Sequence, residues 1–397
     1  MTTPAPRPTN VRARRLAELF PLLADLTLAG PPAADVLVTG VTHASRAVRP
    51  GDLYAGLPGS RVHGAAFSRQ AATAGAVAVL TDAAGVAEAA PSGLPVLVVA
   101  SPRERLGAVA SWAYGDPTAA LRLLGVTGTN GKTTVAYLVE AGLRAEGVPT
   151  GLVGTVETRV AGRAVPSVRT TPEATDLQAL FAAMVERGVR AAAMEVSSHA
   201  LALHRVEATR FAGAAFTNLS QDHLDFHGTM EDYFAAKASL FTPGRAGVAL
   251  VGVDDRWGRR LAASLPHAVT YGVGAPDADW RATQVAAGPA GTSFRVRGPA
   301  GQDVPAAVRL PGAFNVANAL AAIALLASTG TPLAAAVEGV AGLPGVPGRM
   351  ERVDAGQPFL ALVDYAHTPE AVDRLLAAVR ALVRGRVVVV LGCGGDR

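Results

Sequence analysis

Residues 121–147 read LRLLGVTGTNGKTTVAYLVEAGLRAEG: an apolar run, a glycine-bearing loop, and a run of helix formers. That order predicts a buried strand, a loop and a helix, the opening unit of a parallel α/β domain. The loop is Gly128-Thr129-Asn130-Gly131-Lys132-Thr133-Thr134. Its glycines let backbone N–H groups approach phosphate oxygens, and the helix N-terminus adds positive potential. Lys132 would neutralise the outer phosphates, and a following threonine hydroxyl would hold Mg²⁺. The spacing departs from the usual phosphate loop, because Val126 stands where the first glycine belongs and the nearest glycine is Gly125. In its strand–loop–helix setting the stretch predicts an ATP site.

Outward from this loop, RAAAMEVSSHA (190–200) and GAAFTNLS (213–220) are two further apolar runs, each ending in polar residues. In a parallel sheet the strand C-termini carry the site, so polar residues collecting there predict a binding crevice. Upstream, residues 36–100 alternate short apolar runs with Gly- and Pro-containing turns and predict a small α/β domain. Tyr114-Gly115-Asp116-Pro117 is turn chemistry and marks the boundary. Downstream, residues 268–310 are rich in Val, Gly and Thr and predict strands and turns, and FNVANALAAIALLAS (314–328) predicts a helix. GLPGVPGRMERV (342–353) is a Pro/Gly hinge, after which residues 359–392 repeat strand–helix–strand. The expected domains are therefore 1–117, 118–348 and 349–397. The last of these is shorter than the roughly 70–80 residues a lone core usually needs, so it is expected to be incomplete or to dock on the central domain.

The chain has 397 residues, 50% of them hydrophobic and 17% charged, which suits compact globular domains and excludes a disordered chain. The net charge of +4 is spread without a run of like charges, so no nucleic-acid partner is expected. Cys393 is the only cysteine, which rules out an intramolecular disulfide and a cysteine metal cluster and favours a cytoplasmic location. Glu18, Pro21 and Asp25 interrupt the first apolar run, so an amphipathic helix is expected there, not a signal peptide. No run of 18 apolar residues occurs, and no membrane insertion is expected. Of 36 basic residues only Lys132 and Lys237 are lysine. Arginine serves wherever a positive charge is enough; lysine marks places that need a compact ammonium or an amine able to lose its proton.

Glu195-Val196-Ser197-Ser198-His199 ends one predicted strand and Thr217–His223 follows another. A carboxylate at a strand end suits Mg²⁺, whereas a histidine such as His223, taken alone, is more often a hydrogen-bonded structural residue. Lys237 lies in the helix-like YFAAKASLF (233–241), where a solvated surface lysine is the plain alternative.

GTNGKTT, EVSSHAL, TNLSQDHLDFH, YFAAKASLF, LPGAFNVANALAA, GVPGRMERV, VDYAHTPEAV and GCGGDR together resemble, in kind and order, the motifs of the Mur ligase family, most of all its MurE branch. The resemblance runs from about residue 40 to the end. It implies a three-domain α/β architecture: a UDP-substrate domain, a central P-loop ATPase-like parallel-sheet domain, and a partial Rossmann-like C-terminal domain. It implies ATP and Mg²⁺ as cofactors, with two metal sites. Lys132 and Thr133 would be phosphate and Mg²⁺ residues, Glu195 and His223 further metal ligands, and Lys237 a lysine carbamylated by CO₂ to give an oxygen ligand. Asn315 and Asn318 match the adenine-side motif; Arg349, Asp364 and His367 match the nucleotide contacts of the last domain. Ser45 and Arg46 match the uracil-site segment, and Thr170, Thr171, Ser197 and Arg205 match positions that hold the sugar-peptide.

The implied reaction adds a diamino acid (meso-diaminopimelate, L-lysine or L-ornithine) to UDP-N-acetylmuramoyl-L-Ala-D-Glu through an acyl phosphate, in a monomeric enzyme. A folylpolyglutamate synthase shares this core and is the nearest alternative. Two departures stand out: Leu203 where some members carry glutamine, and Arg169 where some carry asparagine. The loop GSRVHG (59–64) also differs from the forms associated with uridine contacts.

Overall fold

The computed structural model describes residues 6–166, 169–288 and 291–392. Residues 393–397, Cys393 and the end of the GCGGDR motif, lie outside the described residues. Packing divides the chain into two units. The first gathers Met1–Arg122, Arg163–Arg190 and His199–Arg210; the second gathers Leu123–Gly162, Ala191–Ser198 and Phe211–Arg397.

In the first unit, strands β1 (Thr27–Ala29), β2 (Gly40–Thr42), β3 (Asp52–Ala55), β4 (Ala78–Thr81) and β5 (Val96–Val98) form one sheet in the order β1-β5-β4-β3-β2. All its pairs are parallel except β1 with β5. Strands β3 and β4 are buried along their whole length, as the unbroken apolar runs of a covered parallel sheet require. Leu53, Leu80 and Leu97 from the sheet pack with Leu106, Val109 and Trp112 of helix Pro102–Ala113 and with Ala174 of helix Ala174–Glu186. Gly107 permits the close approach of the 199–210 segment, since a Cβ there would meet the Glu207 carbonyl at 2.3 Å. The start of the chain is tied to this unit. Arg7 donates to Asp52 at 2.8 Å and to the Tyr114 hydroxyl at 3.0 Å, and Glu186 accepts the Thr9 and Asn10 amides at 3.0 and 2.8 Å. The helix expected near the start forms at Leu16–Leu22 as a 3₁₀ helix that buries Leu16 and Leu19 and holds Pro21.

The second unit is built on β6 (Arg122–Thr127), β7 (Thr150–Val153), β8 (Thr158–Val160), β9 (Ala191–Glu195), β10 (Phe211–Phe216), β11 (Ala246–Gly252), β12 (Val269–Gly272), β13 (Trp280–Gly288), β14 (Gly291–Arg297) and β15 (Asp303–Val308). They lie in the order β8-β7-β9-β6-β10-β11-β12-β13-β14-β15. β10 runs parallel to β6 and β11, and β13–β15 form an antiparallel meander, the strands and turns expected over 268–310. Helix Lys132–Ala145 packs against helices Phe314–Ser328 and Leu333–Gly342, the former spanning the residues expected for it. Gly142 and Gly339 allow this: Cβ atoms there would meet Leu326 at 2.3 Å and the Ala141 carbonyl at 2.5 Å.

From Glu351 on, an antiparallel pair, Glu351–Val353 with Ala361–Val363, precedes helix Pro369–Leu382. The strand expected over 386–391 does not form. It finds no ladder partner among the described residues, and Val390 is 95% exposed. No helix among the described residues is long and apolar enough to cross a membrane.

Candidate functional site

β6 and β10 are neighbours mid-sheet, and the connection leaving β6 runs to β7 on one side whereas the connection leaving β10 runs to β11 on the other. That is a topological switch point, where open α/β sheets form their binding crevices. The loops leaving β6, β9 and β10 carry the three polar motifs singled out in the sequence.

The loop 128–131 turns on two glycines in the left-handed half of backbone space, Gly128 at φ 143° and Gly131 at φ 88°. A Cβ on Gly128 would lie 1.9 Å from the Thr217 hydroxyl, and one on Gly131 would lie 2.4 Å from Asn318 Oδ1. Gly125, by contrast, is a strand residue whose missing Cβ makes room for the Phe211 ring. It is a packing glycine, which explains why the loop spacing looked irregular. The segment after β10 latches the loop. The Asn130 amide donates to Asn218 Oδ1 at 3.0 Å, Asn218 Nδ2 returns a bond to the Asn130 carbonyl at 3.1 Å, and Thr217 Oγ1 donates to that carbonyl at 2.6 Å. Thr129 bonds Ser220 and the Tyr233 hydroxyl.

Both lysines of the protein converge here. Lys132 Nζ donates to the carbonyls of Gly128 at 2.9 Å and Thr129 at 2.8 Å, and Lys237 Nζ donates to the same Gly128 carbonyl at 2.9 Å. Lys237 is 1% exposed and lies over the Tyr233 ring, so it is not a solvated surface lysine. Burial lowers the basicity of Lys132, opposed by Glu195 and reinforced by Arg349. Burial and then the charge of Lys132 push Lys237 well below the ordinary lysine range.

Glu195, at the end of β9, accepts Thr133 Oγ1 at 3.0 Å, the Thr155 amide at 2.7 Å and Thr155 Oγ1 at 3.1 Å. Gly154 lets it fit, because a Cβ there would sit 2.5 Å from Oε1. Arg349 donates to Thr133 Oγ1 at 3.0 Å and stacks on Tyr365. Thr134 is buried in the first turn of the helix. Asn318 donates to Asn315 at 2.9 Å, which brings the paired asparagines beside the loop. Asp364 accepts the Met350 and Ala366 amides and shapes the hinge, whereas His367 is exposed and bonds the Tyr365 carbonyl. His223 takes a left-handed backbone with its amide on Asp222 Oδ1 and its ring 6.3 Å from that of Tyr233. Ser197 follows Glu195, and the neighbouring Ser198 bonds His227 at 2.9 Å.

The hydroxyl and carboxylate of Thr133 and Glu195 are hard oxygen donors that fit Mg²⁺, which keeps several waters and leans on substrate phosphates. Among the described residues no three His, Cys, Asp or Glu side chains gather into an all-protein cage. Thr155 and Gly154 escaped the sequence reading, and Asn218 was read only as part of the TNLSQDHLDFH motif, without its latch on Asn130. The Gly-Thr pair just after β7 was the one available signal.

The remaining candidates belong to the first unit. Ser45 and Arg46 lie in the 3₁₀ turn Ser45–Ala47, and Ser45 donates to Gln70 at 3.3 Å. His43, just before them, bonds Thr175 at 2.9 Å, joining this turn to helix Ala174–Glu186. Thr170 and Thr171 precede that helix, and Arg205 reaches the Thr171 carbonyl at 3.5 Å and Glu173 at 3.0 Å. Arg169 also pairs with Glu173 at 2.9 Å. Glu173 was missed because a lone glutamate before a helix reads as an N-terminal charge.

Family models match along the chain: the Mur ligase family catalytic domain over residues 37–114, the Mur ligase middle domain over 126–326, and the Mur ligase glutamate ligase domain over 348–397. A UDP-N-acetylmuramoyl-L-alanyl-D-glutamate–2,6-diaminopimelate ligase of Streptomyces coelicolor is 57% identical over 401 residues, covering 100% of this chain and 78% of that protein. A UDP-N-acetylmuramyl-tripeptide synthetase of Leifsonia xyli is 48% identical over 406 residues, covering 100% and 79%. A solved UDP-N-acetylmuramoyl-L-alanyl-D-glutamate–2,6-diaminopimelate ligase superposes with a TM-score of 0.78 at 30% identity, over 97% of this chain and 78% of that one. The chain belongs to the Mur ligase family.

Proposed function

We propose that this protein uses ATP to join 2,6-diaminopimelate to UDP-N-acetylmuramoyl-L-alanyl-D-glutamate in peptidoglycan synthesis. The observation that carries the chemistry is the convergence of Lys132 and Lys237 on the Gly128 carbonyl, inside a loop built for phosphate. The S. coelicolor relative supports the substrate and, among the diamino acids, diaminopimelate.

A carboxylate is a poor electrophile at neutral pH, so the D-glutamyl side-chain carboxylate is first activated. Its oxygen attacks the γ-phosphorus of ATP, ADP leaves, and an acyl phosphate forms. An amine of diaminopimelate then attacks the acyl carbon, loses a proton, and inorganic phosphate departs. Lys132 and the loop amides hold the charge of the transferred phosphoryl group, and Asn315 and Asn318 border the nucleotide's place. Thr133, Glu195 and His223 would hold Mg²⁺, which when bound supplies charge neutralisation to the phosphoryl oxygens. A neutral Lys237 amine can attack CO₂ and lose a proton to become a carbamate, a second oxygen donor that a permanently protonated arginine cannot form. We read the protein as a monomer working in the cytoplasm, where ATP is supplied. We read 1–117, 118–348 and 349–397 as the substrate, ATP and amino-acid segments, and assign to the UDP-linked substrate Ser45, Arg46, Thr170, Thr171 and Arg205 of the first unit and Ser197 of the second.

Calorimetric titration with UDP-N-acetylmuramoyl-L-Ala-D-Glu, and with UDP-N-acetylmuramoyl-L-Ala as control, tests the reading. Tight binding of the first and weak binding of the second is expected. Binding of neither, with ATP binding intact, would overturn it.

A further inference from the structure

Glu195 is held from two directions by one helix. Thr133, in the first turn of helix Lys132–Ala145, donates to it directly at 3.0 Å. The Thr155 amide and hydroxyl reach it from the turn 154–157, which joins β7 to β8 and leaves Thr155 and Val156 exposed. That turn is tied back to the helix one turn beyond Thr133, at the spacing that puts two side chains on one face. There the Tyr137 hydroxyl donates to Glu157 Oε1 at 2.8 Å. Thr133, Glu195, Thr155, Glu157 and Tyr137 thus close a ring around the carboxylate assigned to Mg²⁺.

Arg159, in β8, braces the ring. It pairs with Glu157 at 3.0 Å and with Glu140, and its guanidinium lies over the Tyr137 ring, 4.9 Å from the centre. Glu140 is 1% exposed and also accepts the Thr150 hydroxyl at 3.2 Å. A carboxylate so buried is costly unless it is paired and hydrogen-bonded, and both conditions are met here. Burial, and then the bond to Glu157, raises the Tyr137 hydroxyl above its ordinary range, so it stays a donor. Tyr137, Glu140, Glu157 and Arg159 belong to none of the motifs that carry the family resemblance.

We infer that Tyr137 and Glu157 are positioning residues that set the Thr155 turn against Glu195 and thereby tune the affinity of the site for Mg²⁺. A carboxylate whose partners fix its orientation offers its remaining lone pairs in a constant direction, which suits a small cation with strict octahedral demands. The inference deepens the proposed function and rests on its reading of an ATP and Mg²⁺ site.

The test is calorimetric titration of the full chain with ATP at stepped Mg²⁺ concentrations and in EDTA. Replacing Arg159 would strand the Glu140 carboxylate, so the variants are made at the other end of the network. Tyr137→Phe removes one hydroxyl and keeps the ring under Arg159. It should raise the Mg²⁺ concentration for half-maximal enhancement of ATP binding by roughly three- to tenfold, the worth of one hydrogen bond, with affinity in EDTA unchanged. Thr155→Val should raise it about tenfold, and the double variant should fall short of the product of the two, because both act through one turn. Glu157→Gln keeps an acceptor for Tyr137 and should stay near the unmodified value, whereas Glu157→Ala should match Tyr137→Phe. An unchanged Mg²⁺ midpoint in Tyr137→Phe, a fully multiplicative double variant, or Glu157→Gln as impaired as Glu157→Ala would overturn the inference. If the unmodified protein binds ATP with no dependence on Mg²⁺, the metal reading itself fails and takes the inference with it.

Discussion

Lys237 and Gly131 show how much chemistry rests on single side chains here. Lys237 gives up solvation to reach the Gly128 carbonyl beside another lysine, and burial and then that neighbouring charge both lower its basicity. Lys237→Arg keeps the charge and approximate length but cannot carry CO₂. Ligation turnover is expected to fall by roughly 10²–10³, the scale of losing one group that stabilises transition-state charge. Steady-state ADP release with all three substrates measures it, and normal turnover would end the carbamate proposal. Gly131 combines φ 88° with a missing Cβ whose place is 2.4 Å from Asn318 Oδ1. Gly131→Ala should therefore cost on the order of 1–2 kcal/mol and weaken ATP binding, as read by denaturant unfolding and nucleotide titration. The scarcity of lysine is enough to single out Lys132 and Lys237 in the sequence. Thr155 carries no such mark, since a lone threonine after a strand forms no pattern until its partner is known.

Among elements, the helix Lys132–Ala145 does two jobs: its N-terminus faces the phosphate loop while its far half packs on Leu333–Gly342. That packing depends on backbone-to-backbone approach at Gly339, where an added Cβ would meet both the Ala141 carbonyl and the Gly142 Cα at 2.5 Å. Gly339→Ala is expected to destabilise the protein by about 1–3 kcal/mol, seen as a lower urea midpoint with an unchanged slope. The strand–loop–helix at 121–147 and the helix at 314–328 were legible because apolar runs and helix formers agree with their tertiary surroundings. The valine run at 386–391 was misread as a strand. β-propensity describes a side chain's fit to a sheet surface, and no ladder meets this segment among the described residues.

At the scale of the whole molecule, the N-terminal unit is discontinuous. Segments 163–190 and 199–210 complete it, supplying Ala174 to its core and Glu186 to its N-terminal arm. Residues 1–122 expressed alone should consequently melt lower and less cooperatively than the unit in the full chain, by circular dichroism and limited proteolysis; an equally cooperative melt would refute this. The arm also carries a pH dependence. Hydrogen bonds from the Thr9 and Asn10 amides hold the Glu186 carboxyl below its ordinary range. A carboxyl depressed in the folded state contributes stability that is present above its unfolded value of about 4.3 and is lost as pH falls through the folded value. The Thr9 and Asn10 amide resonances should shift together across that acidic window, and Glu186→Gln should abolish the shift.

Local chemistry and spacing sufficed to determine, from the sequence alone, the phosphate loop, its two lysines, the order of the motifs and the family they resemble. These features are written in consecutive residues, where glycine, lysine and apolar periodicity act over a few positions. The tertiary structure alone decided which residues share a partner: both lysines on the Gly128 carbonyl, Thr133 and Thr155 on Glu195, three arginines on Glu173. Such convergence joins segments tens of residues apart. It follows from strand order and helix packing, which no short window of sequence contains.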